Sequence, residues 1–154
     1  SNTWTKDGIS HVTFNLVPDY DIDVMDDARC AEIVVKNIVS GCEKYASTCF
    51  AYCVMPDHVH MLVLFKVDPS VLMKQIKGRS AFEINRLMNR RGQLWQPKSW
   101  DEPVRDRDYF VSACHYIWNN PVKGGLVKRV IDYPYSNFLK MISKIDDIAQ
   151  QLFC

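Results

Sequence analysis

Two short groups of residues in this chain could do chemistry together. His58-Val59-His60 spaces two imidazoles two residues apart, and Tyr116 and Asn120 space a phenol and a carboxamide four residues apart. On a β-strand, where side chains alternate faces, His58 and His60 would point one way and Val59 the other, into a core. Neighbouring imidazoles at that separation suit two ligands of one cation. On a helix, residues four apart share a face, so Tyr116 and Asn120 would be presented together. An amide oxygen is a hard donor; with two imidazoles and water it makes an open nitrogen and oxygen site, better matched to Mg²⁺ or Mn²⁺ than to structural zinc. The same residues also fit a plainer account: two half-exposed histidines on a sheet, a core tyrosine with a satisfied hydroxyl, and an asparagine closing a helix before Pro121.

The elements that must position these groups can be read from periodicity. His11 to Val17 alternates and is rich in β-branched and aromatic residues, which predicts a strand broken by Pro18. Ala28, Ile33, Val34, Ile38 and Val39 recur at helical spacing from Asp26 to about Tyr45, with Asp26 or Asp27 available as N-cap. Residues 48–55 and 59–65 are apolar runs separated by Pro56-Asp57, the pattern of a tight antiparallel hairpin. A second helix is expected from Asp68-Pro69-Ser70, with a basic face that includes Lys74, Lys77, Arg79, Arg86, Arg90 and Arg91. Residues 93–104 read as a short strand or extended loop, followed by a third helix from about Asp106 that Asn120-Pro121 should end, and a last helix over 138–151. The order β-α-β-β-α-β and then helices predicts an α+β fold: a ferredoxin-like antiparallel sheet with helices packed on one face.

The bulk properties constrain this reading without deciding it. At 154 residues and 47% hydrophobic, residues 1–154 fit one domain with a real core. No long uncharged apolar run and no basic-then-apolar opening are present, so a soluble protein without a signal peptide is expected; Ser1-Asn2 reads as a tag scar and is left out of the fold argument. Six cysteines without a C-x-x-C pair lie in apolar periodic segments, which favours buried free thiols and a reducing cytoplasm. The net charge is only +1, but residues 66–129 hold 13 basic and 6 acidic side chains, against 4 and 9 in residues 1–65. Such concentration is the footprint of a phosphate-backbone binder, although charge runs also occur on ordinary solvated helix faces. On this reading Lys74, Lys77, Arg79, Arg86, Arg105 and Lys123 are candidate nucleic-acid contacts, with Trp95 and Trp100 as candidate stacking platforms or core residues.

The hairpin string AYCVMPDHVHMLV and the later string LWQPKSWDEPVRDRDYFVSACHYIWNNPVKGGLVKRVIDYPYSNF resemble the REP-associated tyrosine transposases, relatives of the small insertion-sequence transposases with a His-hydrophobic-His motif. The likeness runs from about His11 to Phe138, with the Met-Pro-x-His-x-His, Trp-Gln-Pro, Tyr-Ile-x-x-Asn-Pro-Val-Lys and Tyr-Pro-x-Ser motifs in order. It implies a catalytic tyrosine at Tyr116, a divalent metal (Mg²⁺ or Mn²⁺) held by His58, His60 and Asn120, and hairpin-forming repeat DNA with a single-stranded flank as substrate. It leaves open a monomer or a homodimer. Where the family often has histidine, this chain has Glu102, which could extend the metal site.

The implied chemistry is phosphoryl transfer. Tyr116 would attack the scissile phosphate in line, leaving a 5′-phosphotyrosine and a free 3′-hydroxyl, and the bond energy kept in the ester removes any need for ATP. A phenol ionises near pH 10, so it needs activation, and His115 lies about 100° away around the helix, a poor position for a base. Two other classes fit parts of the pattern. A non-catalytic nucleic-acid-binding module, for RNA among other targets, should expose aromatics on its central strands. A metal-dependent phosphoester hydrolase using water should keep its turnover in Tyr116→Phe.

Overall fold

In the computed structural model, residues 8–18 and 23–154 are described; Ser1-Asn2 lies outside them. Four strands, β1 (Ile9–Asn15), β2 (Thr48–Val54), β3 (His58–Leu64) and β4 (Trp100–Pro103), form one antiparallel sheet in the order β2-β3-β1-β4. Helix α1 (Ala28–Lys44) joins β1 to β2, and α2 (Pro69–Leu87) joins β3 to β4. This is the ferredoxin-like arrangement expected, reached because strands of period 2 alternate with helices of period 3.6.

The alternation of each strand sorts its side chains between two cores. Val12, Phe14, Val59, Met61 and Val63 face α1 and α2 and meet Val34, Ile38, Leu72 and Ile76. The opposite face carries Ala51, Cys53 and Leu62 and packs under α3 (Arg107–Lys123) and α5 (Ile145–Phe153) through Phe110, Cys114, Ile117, Trp118 and Ala149. Helices therefore cover one face of the sheet as expected and, beyond that expectation, part of the other. The added layer is what encloses the histidine face.

Two local expectations change. The third helix does not stop at Asn120-Pro121: Pro121 is buried inside it, and the helix runs on to Lys123. Its terminator is Gly125, whose φ of +76° is favourable only for glycine. Leu126 N–H bonds to the Pro121 carbonyl at 2.8 Å and Gly125 N–H to Val122 at 3.0 Å, the pair of bonds that closes a Schellman end. The last predicted helix is two pieces, α4 (Phe138–Met141) and α5, while the 93–104 segment holds, as expected, a short strand, the four residues of β4. All six cysteines are free thiols, four of them buried.

The outer edge of β2 is closed by the segment after α3. Val54 N–H bonds to the Tyr135 carbonyl, and the buried Asn137 side chain completes the job. Its oxygen accepts from Tyr52 N–H (2.9 Å) and from Trp118 Nε1 (2.8 Å), while its Nδ2 donates to the carbonyl of Phe50 (3.0 Å), in the irregular stretch between Cys49 and Ala51. Asn137→Ala would strand three buried polar groups, each costing about 1–3 kcal/mol when left unpaired. We expect it to lower the melting temperature by roughly 10 °C; a thermal melt within 2–3 °C or so of wild type would contradict this account of the edge.

Candidate active site

The pairing register assembles the polar side chains of three strands into adjacent rows. His60 of β3 stands opposite Thr13 of β1, which stands opposite Trp100 of β4; one step along, Leu62 stands opposite His11, and His11 opposite Glu102. Directly paired residues point to the same face, so His58, His60, His11, Thr13, Glu102 and Trp100 all project toward α3. No exposed aromatic stands on the central strands β1 and β3 among the described residues.

Helix α3 meets this face with a second stripe. Its buried stripe is Phe110, Ala113, Cys114, Ile117, Trp118 and Pro121, which anchors it over β2 and β3. One step around the helix lie Tyr109, Ser112, Tyr116, Asn120 and Lys123, at spacings of three and four that share a face. Tyr116 is brought edge-on to both His60 (5.8 Å between ring centres) and His11 (5.9 Å), and remains half exposed. The Lys123 ammonium lies 5.8 Å from the centre of the Tyr116 ring, close enough for a cation–π contact. A cavity of about 410 Å³ opens beside these groups, lined by His11, Glu102, Tyr109, Ser112, Ala113 and Tyr116.

Hydrogen bonds fix the imidazoles. His58 Nδ1 is 2.7 Å from an Asp57 carboxylate oxygen, and His60 Nδ1 is 2.9 Å from His11 Nε2 and 3.1 Å from Thr13 Oγ1. Burial, reinforced by repulsion from His11 and His58, pushes the His60 imidazolium down to about 3, so His60 is a neutral imidazole at physiological pH. Burial also lowers His11, opposed by the charge of Glu102. The neighbouring Glu102 carboxylate, with burial, pushes the Tyr109 phenol up to about 12. His11, Tyr109 and Glu102 complete this site, and neither His11 nor Tyr109 was singled out from the sequence. The signal for His11 was its place in phase with Thr13 in an alternating strand, but only the β1–β3 register shows which histidine it meets.

The donor set fits a divalent cation. Asp57 orients His58 through Nδ1 and leaves Nε2 free of that bond, and the His60 tautomer that donates its Nδ1 proton to His11 Nε2 leaves the Nε2 lone pair for a metal. Among the described residues no three His, Cys, Asp or Glu side chains converge as a metal site, so a third protein donor must be of another type. Asn120 is the residue that would supply one: its Nδ2 turns back to the Tyr116 carbonyl at 3.3 Å, which leaves its amide oxygen as the atom to offer. The next turn of α3 reaches the hairpin that carries His58, since a Cβ on Gly124 would lie 3.2 Å from the Met55 methyl group.

The candidate nucleic-acid contacts separate into two groups. Trp100 is 67% exposed on the histidine face, with Lys98 5.4 Å from its ring centre, and Lys123 lies at Tyr116. Arg105 is exposed in the link from β4 to α3. Lys74, Arg79 and Arg86 are exposed on α2, on the far side of the sheet. Two assignments change. Trp95 is 4% exposed, packs edge-on against Phe14 at 4.8 Å and donates to Ser80 Oγ at 2.9 Å, so it is core and no stacking platform. Lys77 is half-buried and spends its donors on the Gln96 carbonyl (2.7 Å) and Ser99 Oγ (3.2 Å), tying α2 to the segment before β4; burial lowers its pKa.

Comparison with known proteins gives the family and the fold. The family model for IS200-like transposases matches residues 9–120. A Haemophilus influenzae protein of the REP-associated tyrosine transposase type is 33% identical over 109 residues, 63% of this chain and 62% of that relative. The REP-associated tyrosine transposase of Escherichia coli is 31% identical over 97 residues, 61% of this chain and 56% of its own length. The match thus spans about three fifths of each of these relatives. A solved REP-associated tyrosine transposase bound to a REP hairpin superposes over 100% of this chain and 87% of its own, with a TM-score of 0.73 at 24% identity, a likeness of fold. No helix among the described residues is long and apolar enough to cross a membrane.

Proposed function

This chain belongs to the family of IS200-like transposases, and from that premise we propose that it cuts and rejoins single-stranded DNA next to a hairpin-forming repeat, with Tyr116 as the nucleophile. The observation that carries the reading is the edge-on seating of a half-exposed Tyr116 over His11 and His60, one helical turn from Asn120. A buried structural tyrosine would hide its hydroxyl, whereas this one offers it to a substrate lying in the cleft.

His58, His60 and Asn120 are the residues that would hold Mg²⁺ or Mn²⁺, and a bound divalent ion supplies Lewis-acid polarisation of a non-bridging phosphate oxygen. The chain's own residues do the rest. Tyr116 Oη attacks phosphorus in line, the 3′-oxygen leaves, and a 5′-phosphotyrosine remains. Lys123, beside the Tyr116 ring, offsets negative charge that develops there. Asp57, His11 and Thr13 keep the two imidazoles oriented through the cycle. Attack on the tyrosyl ester by a second 3′-hydroxyl reverses the step and joins strands.

The split of basic residues supports a bipartite substrate. Trp100 with Lys98 over its ring, and Lys123 beside Tyr116, suit the unpaired flank, as does the exposed Arg105 in the link from β4 to α3, with Trp100 stacking a base. Lys74, Arg79 and Arg86 on α2 suit the phosphates of the paired stem. Trp100→Ala is expected to weaken single-strand binding roughly 5- to 100-fold, the usual worth of one stacked base, without a change in melting temperature. Fluorescence anisotropy with an unpaired oligonucleotide checks it, and unchanged affinity would remove Trp100 from the interface.

The direct test of function is incubation of labelled hairpin DNAs bearing single-stranded flanks with the protein, in Mg²⁺ or Mn²⁺ and in chelator, followed by denaturing electrophoresis. A metal-dependent covalent protein–DNA adduct is the expected product. Binding without any cleavage across the hairpins tried would favour the binding module instead.

A further inference from the structure

The 410 Å³ cavity beside Tyr116 is lined, besides Tyr116 and His11, by residues that the phosphoryl-transfer chemistry does not use. Its walls are the Tyr109 and Tyr116 side chains, seven residues apart on α3, with Ala113 and Ser112 between them and His11 and Glu102 across from them on the sheet. Its volume lies in the lower part of the range of small-ligand sites. Glu102 is placed by the sheet: its backbone is registered against His11, and its carboxylate lies on the same cavity wall as Tyr109, whose phenol it holds up to about 12. The cavity thus joins aromatic walls, a preset acceptor and the nucleophile.

We propose that this cavity seats a nucleobase of the strand being cut, next to the scissile phosphate, and that Glu102 selects guanine there. The inference rests on the reading of Tyr116 as nucleophile, because that residue lines the same cavity and so brings the cut within one nucleotide of it. In a single strand the Watson–Crick edge is free to be read. A carboxylate offers acceptors only. Guanine presents two adjacent donors, N1–H and N2–H, that match its two oxygens. Adenine and cytosine present one amino group beside a ring nitrogen that is itself an acceptor, and thymine flanks its single N–H with two carbonyl oxygens. The expected order is guanine first, adenine and cytosine weaker, thymine last, with guanine favoured about tenfold or more, the usual discrimination of a bidentate contact.

The test is a panel of hairpin oligonucleotides in which each position of the single-stranded flank carries each of the four bases in turn. Adduct formation is followed with wild type, Glu102→Gln and Tyr109→Phe, and affinity is measured by anisotropy in a Tyr116→Phe background. Glu102 is exposed on an edge strand, so its replacement should not disturb folding, and equal melting temperatures would establish that. We expect one flank position at which wild type prefers guanine about tenfold, a preference lost in Glu102→Gln and reduced in Tyr109→Phe. Rates and affinities within about twofold for all four bases at every position, or the wild-type preference retained in Glu102→Gln, would overturn the proposal. Adducts formed without any base preference would leave Tyr116 as nucleophile and remove the guanine pocket. A Glu102-dependent guanine preference in binding, with no adduct on any oligonucleotide, would keep the pocket and remove the nucleophile.

Discussion

Tyr116→Phe will abolish the covalent DNA adduct and lower cleavage by roughly four to six orders of magnitude, the loss expected when a nucleophile is removed and only binding and charge stabilisation remain. The substitution deletes one hydroxyl. The ring keeps its edge contacts with His11 and His60 and its place under Lys123, and the residue is half exposed, so the melting temperature should not move. That separation makes the experiment decisive: an inactive but unfolded variant would say nothing, and this one has no reason to unfold. Cleavage that survives in Tyr116→Phe without an adduct would mean that water is the nucleophile, and the protein would then be a phosphoester hydrolase on the same metal-ligand set.

The second large effect is expected at His60. If its Nε2 is a metal ligand, His60→Ala will weaken Mn²⁺ binding by at least about 100-fold and lower cleavage in step with it. If His60 is only a packed core histidine, the same change will cost stability and leave Mn²⁺ affinity intact. Some stability loss is expected either way, because His60 is 6% exposed and bonded to His11 and Thr13. The deciding measurement is therefore Mn²⁺ titration calorimetry on folded protein, not activity alone. Asn120→Ala gives the companion result: it lies on the flank of α3, partly exposed, and should weaken the ion without destabilising the fold. Wild-type Mn²⁺ affinity in both variants would remove these residues from the metal site.

Much of this architecture was legible in the residue pattern because each element is locally determined. The hairpin at Pro56-Asp57, the N-caps at Asp27 and Asp68, and the alternation of β1 and β3 are written in short-range sequence, and the structure places β2, β3, α1 and α2 within a few residues of where periodicity puts them. Pro121 misled because a proline in a helix was read as a stop, whereas the stop is the left-handed Gly125 four residues on. Trp95 and Lys77 misled for another reason: residue type proposes an interface, but burial is a property of the whole fold, and both side chains are committed to the packing of α2 against the segment before β4.

The sequence by itself determined the identities of the reactive groups and their spacing within each element, the pair His58 and His60 on one strand face and the pair Tyr116 and Asn120 on one helix face, since those spacings follow from the periods of strand and helix alone. Only the tertiary structure decided that the two pairs meet. The β1–β3 register set His11 and Thr13 beside His60, the buried stripe of α3 turned Tyr116 and Tyr109 toward them, and the β1–β4 register added Glu102 and Trp100. Those contacts join residues tens of positions apart, and long-range register is fixed by the packing of the complete core, a quantity that no short stretch of the chain contains.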